Sequence, residues 1–317
     1  MMIPGILAIQ SLVFPATVGR IWNIESGSIS TGVWTSVCGG DGSEGVGFVG
    51  VGSDGEAFLY TEGGGYESLT VPTSSAWSCV EMVYTSSSGN VFLACATGGE
   101  LMACASSDYT SWSSKTPSTS GSWTSIARNY NYEDIVVVVG SDGSVMTSED
   151  TDSWTTRTAA SASPWTSVSH CFYSTYVAVA SNGDVMTSSD GITWTSRTAA
   201  SASPWTSVCY SNTSNLAIAV ASNGDIMTSP DGINWTSRTS PISAPFVGVS
   251  STEDAFSGTN IIVAVASDGS AVYSVDGINW VEASTPGTQP WTSVSKLSYG
   301  VSEFYAVASD GSVMKTP

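Results

Sequence analysis

The chain has 317 residues and a net charge of −19, with eight lysines and arginines against 27 aspartates and glutamates. So few cations exclude a basic nucleic-acid-binding stripe and disfavour anionic membrane surfaces, because phosphate contacts dominate both kinds of binding. Charged residues make up 11% of the chain, so its polar surface must rest on serine, threonine, asparagine and glycine as much as on acids.

Residues 1–16 (MMIPGILAIQSLVFPA) are apolar, but they lack a basic leader and contain two prolines, which argues against a signal peptide. They read as an arm, laid either on the domain that follows or on a partner. No run of 18 apolar residues occurs, so no transmembrane helix is expected. Residues 17–317 read as one domain.

A W-T-S-V-like segment opens at Trp34 and recurs at Trp77, Trp123, Trp165, Trp205, Phe246 and Trp291, with spacings of 43, 46, 42, 40, 41 and 45 residues. A period of about 40–45 residues with several short strands per unit indicates a propeller blade. In the clearest copy, 165–173 is a first strand and 175–181 a second, with β-branched residues alternating with alanine. Asn182-Gly183 reads as a two-residue type I′ hairpin. Residues 184–189 form a third strand, Asp190-Gly191 turns the chain, and 193–198 form a fourth.

The turn recurs seven times, from Ser53-Asp54-Gly55 to Ser309-Asp310-Gly311. Five residues past its first member stands Phe58, Met102, Met146, Met186, Met227, Val272 or Met314, a position expected to pack between blades. The copy beginning at Trp291 lacks its own fourth strand, while Gly19-Arg20-Ile21-Trp22 matches the second half of the fourth-strand motif. Residues 19–26 are therefore expected to pair with 312–316 and close the ring, which removes free sheet edges. The fold class expected is an all-β, seven-bladed propeller with four antiparallel strands per blade.

Six cysteines contain no C-x-x-C pair, so no zinc site is expected. Cys95 and Cys104 flank one hairpin but fall diagonally, which is poor disulfide geometry, and all six read as free thiols.

The segments SSDGITW (188–194), SPDGINW (229–235) and SVDGINW (274–280) resemble the Asp-box, or bacterial-neuraminidase repeat, with one residue absent between Asp and Gly. The resemblance implies that Asp190, Asp231 and Asp276 cap their own turns, with Trp194, Trp235 and Trp280 packed beneath, as folding elements away from a binding face. The wider phrase YVAVASNGDVMTSSDGITWTSRT resembles Asp-box propellers of bacteriophage tail and other virion proteins. That likeness implies a virion-associated structural or adhesion protein, located in the particle, whose N-terminal arm meets other virion proteins. Host-surface glycan is a candidate ligand. Propellers with similar repeats also serve photosystem biogenesis, which makes a cellular scaffold or assembly factor an alternative.

Residues 155–168 and 195–208 differ at one position, which suits a structural array better than a unique catalytic pocket. A sialidase would need three arginines converging on a carboxylate. Arg157, Arg197 and Arg238 instead share one repeat position, leaving Arg128, near Tyr132-Glu133, as the unpatterned candidate. His170 has no partner triad by motif. No catalytic residue, cofactor or metal is expected.

A candidate ligand face combines Trp165, Trp205 and Trp291 with Arg157, Arg197 and Arg238, since an aromatic ring beside a guanidinium suits a sugar. The favoured alternative is that these tryptophans are buried between blades, each under an arginine stem. The turn aspartates Asp54, Asp142, Asp268 and Asp310 could attract a cation, though the ordinary reading is a solvated turn.

Overall fold

The computed structural model describes residues 23–24, 32–40, 46–61, 64–87, 89–105, 108–128, 135–172, 174–253, 260–285, 287–296 and 303–316. The apolar segment 1–16, Arg20, Trp22 and Tyr132-Glu133 lie outside them. Among the described residues all regular structure is strand, arranged as seven four-stranded antiparallel sheets. The innermost strands are Trp34–Gly39, Trp77–Thr85, Trp123–Ala127, Trp165–Cys171, Trp205–Ser211, Phe246–Glu253 and Trp291–Lys296. Each packs against the next, and the seventh packs against the first, so the sheets are the blades of a closed propeller.

The last blade takes its outer strand from the other end of the chain. Asn23–Ile24 pairs antiparallel with Val313–Lys315, Asn23 opposite Lys315 and Ile24 opposite Met314. Thr316 holds the place that Ser188 holds in its own blade, and its hydroxyl accepts the Phe304 amide at 2.9 Å.

Two local expectations need correction. The Asn182-Gly183 turn is not type I′. Ala180 N–H donates to Asp184 O, and Gly183 (φ 95°) has positive φ while Asn182 does not. This is a three-residue loop with glycine in the left-handed position, the type I turn plus bulge that hairpins also favour. Asn182 instead uses its side-chain oxygen to accept the Asp184 amide at 3.2 Å. The turn aspartates do the same: Asp142 and Asp268 accept the amides of Ser144 and Ser270. The first strand of the same blade also ends at Cys171 rather than 173, because Phe172 adopts φ 53° and breaks the extended run.

The core lies between blades. Trp34, Trp77, Trp123, Trp165, Trp205, Phe246 and Trp291 are all fully buried, as are Phe58, Met102, Met146, Met186, Met227, Val272 and Met314. Phe58 fits the slot filled elsewhere by methionine because Gly50 stands opposite it. A Cβ at Gly50 would overlap the Phe58 ring.

Threonine follows most anchor residues and joins its blade to the next. Thr35 Oγ1 donates to Trp77 O at 2.7 Å, Thr124 to Trp165 O, Thr166 to Trp205 O and Thr206 to Phe246 O. Ser78 takes this role toward Trp123 O, and Thr292 closes the ring onto Trp34 O at 2.8 Å. A second clasp uses the next residue: Ser36, Ser125, Ser167 and Ser207 accept the amides of Val80, Val168, Val208 and Val249.

Blade 6 has Val247 and Gly248 at these two positions, so its seam with blade 7 lacks both hydroxyls. Val247→Thr should therefore stabilise the ring by about 1 kcal/mol, the net worth of one such bond. A thermal melt unchanged or lowered by the substitution would count against this account of the seams.

Candidate functional site

The first strands agree closely for four residues and then diverge. Three residues after each anchor stands an aliphatic side chain: Val37, Val80, Ile126, Val168, Val208, Val249 or Val294. Five residues after it stand Gly39, Met82, Arg128, His170, Tyr210, Ser251 and Lys296. A repeat that keeps its frame and varies at one layer concentrates its individuality there. Arg128, His170, Tyr210, Ser251 and Lys296, together with Glu81, line a central cavity of about 450 Å³ whose wall draws on the first strands of all seven blades. That volume lies within the range of small-molecule and side-chain sites.

The cations single out this layer. Lys115, Arg157, Arg197 and Arg238 occupy one register position on the outer strands of four blades. Each arginine Nε donates to a threonine hydroxyl of its own blade: Arg157 to Thr147, Arg197 to Thr187 and Arg238 to Thr228, at 2.7–2.8 Å. Lys115 pairs with Asp152 at 2.6 Å, and Lys315 lies 3.7 Å from Glu303. The other two cations among the described residues, Arg128 and Lys296, both line the central cavity.

Their charges shape the site. Burial holds the Glu81 carboxyl above its ordinary range, and the Arg128 and Lys296 charges offset only part of that rise. His170 is lowered to about 4 by burial, so its imidazole is neutral at neutral pH; its ring sits edge-on to Tyr176 at 4.9 Å. Half-buried Arg128 and Lys296 thus supply the positive charge of the cavity, with one carboxylate beside them.

The residues singled out from the sequence as a ligand face are arranged otherwise. The Trp165, Trp205 and Trp291 rings have no exposed surface and so offer no face to a sugar. The physical reason is the ring of blades itself: each indole fills the gap to its neighbour, and the Trp291 N–H donates to Gly269 O in the turn of the preceding blade at 3.3 Å. Arg157, Arg197 and Arg238 lie on the outer strands, bound to threonines of the adjacent third strands and away from the cavity wall.

The boxes are local caps. Asp190 Oδ1 accepts the Ile192 and Thr193 amides at 2.8 and 2.7 Å and the Ser188 hydroxyl at 2.8 Å. Asp231 and Asp276 repeat this geometry, adding the side-chain amides of Asn234 and Asn279. Trp194, Trp235 and Trp280 each donate from the indole to the glycine carbonyl of their own turn.

Burial raises the Asp231 carboxyl, but bonds from Asn234, Ile233 and Ser229 outweigh it and lower Asp231 to about 2. Asp190 and Asp276 are lowered by the same balance. A carboxylate depressed in the folded state contributes stability above its unfolded pKa and loses it as pH falls through the folded value. The melting temperature should therefore fall as pH drops from about 4 to about 2. Asp231→Asn, which accepts hydrogen bonds but cannot titrate, should lessen that fall. An equal acid slope in the variant would remove Asp231 from the account.

Among the described residues no cluster of three metal-ligating side chains occurs, and no helix is long and apolar enough to cross a membrane. No protein-family model matches the chain, and neither does any curated protein. Solved structures do match. YCF48 from Cyanidioschyzon merolae is 15% identical, with a TM-score of 0.69, over 93% of this chain and 98% of that one. YCF48 bound to D1 peptide is also 15% identical, with a TM-score of 0.70, over 93% and 96%. A catalytically inactive virginiamycin B lyase from Staphylococcus aureus with quinupristin is 8% identical, with a TM-score of 0.77, over 93% and 99%. At such identities the likeness establishes the fold alone, and this chain is a seven-bladed β-propeller.

Proposed function

We propose that this protein is a non-enzymatic cellular scaffold or assembly factor that holds an acidic segment of a partner protein at its central cavity. One observation carries the reading. The first strands match through their fourth residue, then diverge to place Arg128 and Lys296, among the described residues the two cations outside the outer-strand pattern and the Glu303 contact, in one cavity. In a chain of net charge −19 such convergence is a local exception, and a carboxylate is the group it favours. A similar propeller bound to a peptide supports the reading, since it is a ring of this shape with a peptide ligand.

A virion-associated structural or adhesion role is the second reading, favoured by the near-identity of residues 155–168 and 195–208. It does not account for the divergent layer, and burial of the three tryptophans leaves its glycan component without an aromatic face. A sialidase-like reading lacks converging arginines among the described residues.

The test is fluorescence anisotropy with a labelled peptide of alternating glutamate and alanine. The expected result is saturable binding that Lys296→Gln weakens about tenfold or more, as for loss of one charge-assisted hydrogen bond, with unchanged melting. Absence of binding, or equal binding by the variant, would overturn the proposal.

A further inference from the structure

Blade 2 departs from its neighbours at the second clasp. Where Ser36, Ser125, Ser167, Ser207 and Ser293 stand in other blades, it has Cys79, whose side chain takes the clasp position facing the Ile126 amide of blade 3. Cys79 also lies directly opposite Cys95 on the neighbouring strand, and both side chains belong to the apolar cluster packed between blades 2 and 3. Directly opposed residues of an antiparallel pair have Cα atoms about 4.5–5.5 Å apart, inside the disulfide range of about 4.4–6.8 Å.

The remaining cysteines are not opposed in this way. Cys104 faces Phe92, Cys38 faces Val49, Cys171 faces Thr175 and Cys209 faces Ile218. Cys95 is buried, but Cys79 is half-buried and lines the cavity, so a small reagent has a route to it.

We propose that Cys79 and Cys95 form a reversible dithiol–disulfide pair, oxidised by a small organic disulfide entering the cavity, and that oxidation loosens the seam between blades 2 and 3. The Cys79 thiolate attacks one sulfur of the reagent, forms a mixed disulfide and expels one thiolate. The Cys95 thiolate then attacks the Cys79 sulfur and releases the second. One S–S bond forms in the protein and one breaks in the reagent, which takes up two electrons and two protons and leaves as two thiols. In the product the Cys79 sulfur is drawn toward Cys95 and away from Ile126.

The Cys95 contact, burial and the Glu81 charge all hold the Cys79 thiol well above its ordinary range. The thiolate is the attacking species, so exchange should be slow at neutral pH and accelerate steadily in alkali.

The test treats the full chain with 2-hydroxyethyl disulfide in alkaline buffer, then alkylates, denatures and maps it. Free thiols should fall from the six of the sequence by two. One Cys79–Cys95 peptide should appear, and Ile126 amide exchange should quicken and be restored by dithiothreitol. Cys79→Ser installs the clasp residue of the other blades, so it should block the link and keep Ile126 protected; Cys95→Ala should block the link independently. Retention of all six thiols, or a link between another pair such as Cys171 and Cys209, would overturn the pair. A Cys79–Cys95 link with unchanged Ile126 exchange would overturn the coupling to the seam.

Discussion

Trp165→Ala is expected to destabilise the protein by about 3–5 kcal/mol, the usual cost of deleting a fully buried aromatic side chain. The ring has no exposed surface and packs with Val139, Val168, Tyr176 and Met186 between blades 3 and 4. Its indole nitrogen has no hydrogen-bond partner, so the loss is one of packing and cavity rather than of an orphaned acceptor. Trp205 and Trp291 hold the same place in later blades. Changing all three should remove about 9–15 kcal/mol, comparable to the whole stability of a typical domain, and abolish cooperative unfolding. Urea melts followed by fluorescence and circular dichroism check this. A triple variant that melts like the parent would show that these rings are not the mortar between blades.

Arg128→Glu is expected to abolish binding of the acidic peptide, a loss of about a hundredfold or more, while leaving the melting curve close to that of the parent. The substitution replaces an attractive charge with a repulsive one beside Glu81, so the cavity then presents two carboxylates and Lys296 alone opposes them. The opposite change at the neighbouring position has the opposite sign. Glu81→Gln removes the competing carboxylate, so binding should tighten, and the combination with Arg128→Glu should recover part of the loss. Titration of the four proteins with one labelled peptide gives the cycle. Equal affinity for all four would mean that the peptide, if bound, sits elsewhere.

The sequence revealed those features that repetition displays seven times. Anchor spacing, the recurring turn and the incomplete last copy identified the blades and their closure, because each reports burial or backbone conformation at a fixed register. The turn type is not legible in the sequence, because Asn-Gly permits positive φ at both residues, whereas Asn182 spends its side chain on the Asp184 amide and glycine alone turns left-handed.

The site was harder to see. Arg128 stands out as unpatterned in the sequence and Lys296 does not, and bringing residues of blades 3 and 7 to one cavity requires the whole ring to close, which no local pattern encodes. Aligning the fifth residue after each anchor would have found the layer. The cysteines show the same limit at shorter range. Counting outward from Gly98-Gly99 directs attention to Cys95 and Cys104, whereas the bulge after Trp77 sets Cys79 opposite Cys95. A one-residue bulge inverts which side chains meet, and the sequence of one strand does not announce it.

Hydrogen exchange of the full chain with and without the glutamate–alanine peptide tests the central claim most directly. Protection should appear at the ends of Trp123–Ala127, Trp165–Cys171 and Trp291–Lys296, where Arg128, His170 and Lys296 meet the cavity. Protection confined to the outer strands Trp154–Arg157, Thr195–Arg197 and Thr236–Arg238, with none at the cavity, would contradict it.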